Sequence, residues 1–600
     1  MNQFRLSLVL LFSLFLMQPV FAQIAKPTPE GPYSVRVESD VMVPMRDGVR
    51  LATDIYIPVG LSGKLPAVMI RMPYNKTKQY AVDAATWYAS NGYRVLVQDM
   101  RGKWNSEGIY RVLGDDAHDG YDFINWIITQ PWSAGVVGSY GCSYLGENQI
   151  ILAAEKHPAH RAMIAQGAGG GVGRLGGRYG HFGSFEGGVL GLAAGFGWFP
   201  YAGTKNKTDM KVVPENISEA LWGLPVVDLM DTHGVGPTDW RAFVSTPLRD
   251  PWWDEQGYVN DNDTFDVPTL HVNSWYDYGV SETLQLFNRF RETAQSDRAR
   301  NGQYALISPA THCGSEKATE NFVVGEVNVG DARFPYWDTY LKWFDYWLKG
   351  EDNKITAMPK VQYFLTGAGD WREANQWPPA AARKQTFYLS SRKGANSSSG
   401  DGSLADTVPV KPRYDKFTYD PGNPVPSKGG GVCCTGNPED QPGIFDQSDI
   451  ELRNDVLVYT SPVLDEGLTL TGPVRLVLHV GSSAKDTDFT AKLVDLQPDG
   501  KAYNIQDAIF RARFREGIDK EVMMSRGEVY RLDISLHDTA YHLKPGHQLR
   551  LEVSSSNFPR FARNLNTGGN NYDEAKWVVA KNRVYHGPNY LSYLEVTTAE

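Results

Sequence analysis

The residues with the clearest chemical potential lie in VVGSYGCSYLGENQIILAAEKHP, residues 136–158. A β-branched run leads into small residues around Ser143 and then into an Ala/Leu/Ile-rich helical pattern. A serine on a tight strand-to-helix turn is the arrangement of a nucleophile elbow, where small neighbours admit a strained backbone and the helix amino terminus favours developing negative charge. The common spacing is G-x-S-x-G; here Gly141 and Gly146 bracket Ser143, so the second glycine falls one place late. A serine hydroxyl needs a base. An acid and a histidine follow in the order such a site requires: Asp277 ends VPTLHVNSWYD and His312 follows YALISPAT. Singly, Asp277 reads as a helix cap and His312 as a loop histidine, but three such residues in order at strand ends point to acyl transfer. The oxyanion of that reaction needs preorganised donors. The backbone N–H of Tyr144 and the phenol of Tyr74, in RMPYNK, are the candidates; the plainer reading of Tyr74 is a packed aromatic at a strand end.

Several elements must position these side chains. SVRVESDVMVPMRDGVRLATDIYIP (34–58) alternates on either side of RDG and reads as a β-hairpin. LPAVMIRMPY and GYRVLVQDMRG read as strands, and DDAHDGYDFINWIITQPW (115–132) as a helix with Tyr121, Ile124 and Ile128 at helical spacing. Strands alternating with helices predict an α/β fold with a largely parallel sheet. Residues 33–168 and 256–352 form its two parts, interrupted over 169–255 by a Gly- and aromatic-rich insertion placed over the sheet. The aromatic helix FPYWDTYLKWFDYWLKG (334–350) reads as core packing. From 361 to 600 short alternating strands predict an all-β sandwich, with Lys393–Gly443 as a long surface excursion.

Bulk properties narrow the function. A formal net charge of −10 without a basic run argues against a nucleic-acid partner. Arg5 followed by an apolar run from Leu6 to Met17, with small residues at Val20 and Ala22, reads as a signal peptide over residues 1–22. The run falls short of the ~20 residues that span a bilayer, so an exported protein without a stable membrane anchor is expected, in the periplasm or the medium. The sequence allows a homo-oligomer. Of four cysteines, Cys142 and Cys313 flank Ser143 and His312; buried free thiols are preferred there to a disulfide, whose geometry is demanding. The pair Cys433/Cys434 reads as two buried small side chains rather than a strained vicinal bond. Asp486 and Asp488 in KDTDF could suggest calcium, but read better as a turn and strand edge.

GCSYLG, SWYDYG, SPATHCG, RMPYNK, QDMRGKWNSEG and FDYWLKG together resemble the cocaine esterase (CocE/NonD) family of serine hydrolases, related to X-Pro dipeptidyl peptidases, α-amino-acid ester hydrolases and glutaryl cephalosporin acylases. DTDFTAKLVDLQPDG and LEVSSSNFPRFARNLNTG resemble that family's carboxyl-terminal jelly roll, so the likeness covers most of the chain. The resemblance implies an α/β-hydrolase domain with a helical cap and a jelly-roll domain. It implies Ser143 as nucleophile, His312 as base, Asp277 as its orienting acid, Tyr74 and the Tyr144 amide as oxyanion hole, a small ester or amide as substrate, and no metal or organic cofactor. Branches taking α-amino acyl groups carry acids after the catalytic Asp, where this chain has Tyr278, Gly279, Val280 and Ser281. Arg178, or Arg174, is therefore expected to favour an acyl group with a distal carboxylate, as in glutaryl transfer, an arginine fork suiting a carboxylate; the plain alternative is a structural arginine. X-Pro exopeptidase activity would need an anchor for a free amino terminus. A carbohydrate-binding or adhesion protein, suggested by the aromatic insertion and β domain, would leave Ser143, Asp277 and His312 apart.

Overall fold

The computed structural model describes residues 31–169, 172–208 and 216–599; the signal peptide expected over residues 1–22 lies outside them. The first body is a ten-stranded sheet. Its strands are β1 (Val35–Pro44), β2 (Arg50–Pro58), β3 (Leu65–Met72), β4 (Arg94–Asp99), β5 (Ser133–Cys142), β6 (His160–Gln166), β7 (Thr269–Tyr276), β8 (Gln303–Thr311), β9 (Val361–Leu365) and β10 (Asp370–Ala374). They lie in the order 1-2-4-3-5-6-7-8-9-10. From β4 to β9 every neighbouring pair is parallel. The hairpin β1/β2 closes one edge and β10 the other, both antiparallel. Apolar strands such as β3 and β8 are buried almost throughout because helices cover the sheet.

Helices α1 (Gln79–Ser90), α2 (Asp116–Thr129) and α3 (Tyr144–Ala154) supply crossovers. On α2 the buried stripe is Phe123, Ile124 and Ile127, with Tyr121 and Ile128 half-buried; the inward face is rotated from the one read in sequence, because Phe123 takes the core position. The insertion carries α4 (Leu192–Tyr201) with short helical turns and strands of two to four residues. Helix α5 (Val280–Thr293) follows β7, and α6 (Tyr336–Phe344) buries Tyr336, Tyr340, Trp343 and Phe344. Gly138 in β5 is required beneath that helix, since a Cβ there would come within 2.7 Å of the Phe344 ring.

The second body is an eleven-stranded sheet beginning at Arg383. Its longest strand, Leu468–Ser482, pairs with Tyr530–Leu543. Sequence places the start of the all-β region at 361, but Val361–Leu365 joins the first sheet as β9. A short apolar run announces a strand without naming its partner. The two bodies share a core: Phe514, Phe558, Ala562 and Tyr572 pack in the cluster that holds the aromatic side chains of the insertion. Asp486 and Asp488 are fully buried, paired with Arg513 and Arg511 and bonded by Asn564. Asp486 lies in the turn before the strand Asp488–Leu496, which Asp488 opens, as expected, and they are no open cation site because guanidinium groups already supply their counter-charge.

Candidate active site

The three candidate side chains share one geometric rule. Ser143 is the first residue beyond β5, Asp277 the first beyond β7 and His312 the first beyond β8. All three therefore stand at the carboxyl edge of the parallel strands, where ligands of open α/β sheets bind. Ser143 has φ 65° and ψ −133°, a conformation costing about 1–3 kcal/mol for a residue with a side chain. Its N–H donates to the Gln166 carbonyl at 2.9 Å. The glycine spacing now has a cause. A Cβ on Gly141 would lie 2.4 Å from that of Leu145, and one on Gly146 would lie 2.5 Å from the Gln166 carbonyl oxygen. The helix is pressed against β6 one residue later than in the common elbow, and the second glycine moves with it.

His312 Nδ1–H donates to both Asp277 carboxylate oxygens, at 2.9 and 2.8 Å. Both side chains are buried. Burial disfavours charge on His312, but the adjacent Asp277 carboxylate outweighs it and raises the imidazole pKa to about 9. His312 Nε2 is buried and has no hydrogen-bond partner among the described residues. Gly167, at φ 51°, underlies this pair: a Cβ there would meet Cys142 Sγ, His312 Cε1 and Asp277 Oδ2 at 3.0–3.3 Å. Cys142 and Cys313 are joined in a disulfide, their Cα atoms 6.0 Å apart. This corrects the expectation of free thiols. The neighbouring residues of the two loops are brought within the range a disulfide spans, which sequence could not show.

Tyr74 stands two residues beyond β3, buried, and its hydroxyl accepts from Trp198 Nε1 at 3.0 Å beside the Ser143 hydroxyl. Indole N–H is a donor only, so the phenolic proton of Tyr74 is left to donate elsewhere. Burial, then the neighbouring Cys434, push this phenol well above its ordinary pKa of 10, so it stays protonated. Tyr144 opens α3, where a backbone N–H has no intrahelical acceptor. Its ring stacks on Trp198, centroids 6.0 Å apart, and its hydroxyl accepts from the Leu113 N–H.

A cavity of about 100 Å³ opens at Ser143. Phe182, Trp198, Phe199, Tyr278 and Phe561 give it an aromatic wall. Arg178 does not face it as a free cation: its guanidinium pairs with Glu282 at 3.0 Å and donates to Ser535 Oγ. Arg174 lines a separate recess with Arg249, Asp250 and Trp253. The expectation that either forks a substrate carboxylate is corrected, since one is already paired and the other is elsewhere. Glu282 lines the cavity, and its Oε2 is buried without a partner among the described residues. An acid does follow Asp277, five residues on rather than next to it.

Sequence reasoning missed three contributors. Trp198 orients Tyr74, with only an aromatic-rich segment as its signal. Glu282 is brought round by the first turn of α5. Gly431–Cys434, read as surface excursion, lines the cavity, its backbone held by reciprocal bonds between Gly430 and Gly443. Cys433 and Cys434 are not disulfide-bonded, as expected, but they are half-buried rather than buried, with their sulfurs 2.7 Å apart.

Over 94% of its length the chain is 33% identical to the cocaine esterase of a Rhodococcus species, covering 98% of that protein. This chain belongs to the cocaine esterase family of serine hydrolases. Residues 47–314 match the X-Pro dipeptidyl-peptidase (S15) family and residues 353–595 the X-Pro dipeptidyl-peptidase C-terminal non-catalytic domain. An aminopeptidase from a marine sediment thaumarchaeon superposes with a TM-score of 0.80 at 23% identity, over 96% of this chain and 98% of that one. An α-amino acid ester hydrolase does so at 0.80 and 24%, over 97% and 99%. These two likenesses establish the shared fold of an α/β-hydrolase with a C-terminal β domain.

Proposed function

We propose that this member of the family is an exported esterase that hydrolyses carboxylic esters through an acyl-enzyme on Ser143. The observation carrying the reading is the His312–Asp277 pair with Nε2 unengaged, tied through the adjacent Cys142–Cys313 bond to the loop that bears Ser143. Ser143 Oγ attacks the ester carbonyl while His312 Nε2 takes its proton, and the C=O electron pair moves onto oxygen between the Tyr74 hydroxyl and the Tyr144 N–H. The imidazolium returns the proton to the departing alcohol. Water, deprotonated by the same nitrogen, then releases the acid and frees Ser143. Asp277 keeps the proton on Nδ1 and stabilises the imidazolium.

The aromatic wall favours a compact neutral or aryl acyl group. The unpartnered Glu282 oxygen favours a second reading, an acyl group carrying an ammonium, in line with the α-amino acid ester hydrolase named among its structural neighbours. The signal-peptide pattern and the Cys142–Cys313 disulfide together support export, since such bonds persist in oxidising compartments. The test is kcat/KM on matched esters with neutral aryl, α-amino and glutaryl acyl groups, with Ser143→Ala as blank. Neutral aryl esters are expected to lead and glutaryl esters to be poorest; a glutaryl preference would overturn the assignment of the wall.

A further inference from the structure

A second set of reactive side chains faces Ser143 from the C-terminal half of the chain. Cys433 Sγ, Cys434 Sγ and a ring nitrogen of His312 all lie within 4.8 Å of one another. Asp277 occupies Nδ1, which leaves the buried, unpartnered Nε2 as the ligand nitrogen. In an extended chain two adjacent side chains point to opposite faces. Here Cys434 takes a left-handed φ of 61°, and the two sulfurs sit side by side. Contact with Cys433 lowers the pKa of the Cys434 thiol, and burial raises that of Cys433.

We infer that Cys433, Cys434 and His312 Nε2 form a binding site for a soft, thiophilic d10 cation of the Zn2+ type, and that its occupancy stops hydrolysis. Two thiolates and an imidazole are a zinc donor set, with a fourth position open to water or a substrate oxygen. A histidine whose other nitrogen is held by a carboxylate is the usual zinc-ligating form, because the carboxylate fixes the ring and strengthens the donor. Bond lengths of about 2.3 Å to sulfur and 2.0–2.1 Å to nitrogen put tetrahedral ligand atoms roughly 3.5–3.8 Å apart. The sulfurs, now 2.7 Å apart, must open by about 1 Å, within reach of side-chain rotation. Adjacent Cα atoms are about 3.8 Å apart, below the separation a disulfide normally spans, which favours the dithiol over a vicinal bond. On binding, the two thiol protons leave and the cation accepts lone pairs from both sulfurs and from Nε2, with no change of oxidation state. That nitrogen can then no longer take the Ser143 proton.

The inhibitory half rests on the role proposed for His312; the binding half does not. Binding is therefore read first in Ser143→Ala, with Cd2+ as the spectroscopic stand-in. One Cd2+ per chain with thiolate-to-metal ultraviolet absorption is expected. It should be abolished in Ser143→Ala/Cys433→Ser/Cys434→Ser and weakened at least tenfold in Ser143→Ala/His312→Ala, with circular dichroism confirming that each variant is folded. Absence of that absorption, or equal binding without the cysteines, overturns the site. In the chain with Ser143 intact, micromolar Zn2+ is expected to suppress ester turnover more than tenfold, reversibly with a chelator. Cys433→Ser/Cys434→Ser should show no fall relative to its own metal-free rate. Cd2+ bound through the thiols with turnover unaffected by Zn2+ overturns the inhibitory half.

Discussion

The two sides of the cavity are built by different means. On the sheet side each of the proposed reacting side chains, Ser143, Asp277 and His312, is the first residue past a strand, so backbone ladders fix its position and a disulfide locks two of the loops together. On the opposite side the wall comes from the insertion, from α5 and from the C-terminal half, joined by side-chain pairs such as Arg178–Glu282, His537–Glu186 and Arg560–Glu186. The first construction holds atoms to the tolerance that proton transfer requires. The second can change its charges one at a time without disturbing the sheet. Damage on the sheet side should therefore appear in kcat, and damage on the wall in the ranking of substrates.

The strongest challenge to this contrast is Ser143→Ala, expected to lower kcat by about 10⁴-fold or more with the fold intact. Asp277→Asn should cost about 10⁴-fold, by leaving the wrong tautomer on His312. Tyr74→Phe is expected to lower kcat by about 10²–10³-fold with KM little moved, the mark of a donor used only in the transition state. Cys142→Ser/Cys313→Ser should lose about 2–5 kcal/mol of stability, measured by denaturant unfolding. His312 must be neutral to act as base, and its pKa is raised to about 9. The acid limb of kcat/KM should then centre near pH 9 instead of near the ordinary 6.5, activity falling as pH drops through it. Cys434→Ser should shift that midpoint downward. On the wall, Glu282→Gln should alter the ratio of α-amino to neutral ester turnover several-fold, whereas Arg174→Ala should leave every ratio unchanged. A large drop in kcat for Arg174→Ala would break the division between the two sides.

The sheet side was legible in sequence because strand, turn and residue type coincide within a few positions at Ser143, Asp277 and His312. The wall was not, because its members lie hundreds of residues apart. Nothing around Gly431–Cys434 marks it as anything but glycine-rich loop until its backbone is seen against Asp277, where a Cβ on Gly431 would lie 2.8 Å from the Asp277 carbonyl oxygen. Arg178 misled for a related reason. A guanidinium's partner cannot be read from its own neighbourhood in the chain, and Glu282 lies on another element. The disulfide was misjudged because chemical permission for a bond says nothing of distance. The strand at Val361 was recognised as a strand but assigned to the wrong sheet.

The Cys142–Cys313 bond closes a covalent ring of chain that contains the whole insertion, with 171 residues separating its two ends. A protease that cut once within the insertion would leave both fragments attached, and the chain would migrate as a single species until reduced. A single cut there would thus release neither half of the sheet. For the exported esterase proposed above, a nicked insertion would be a change of substrate access before it was a loss of the protein.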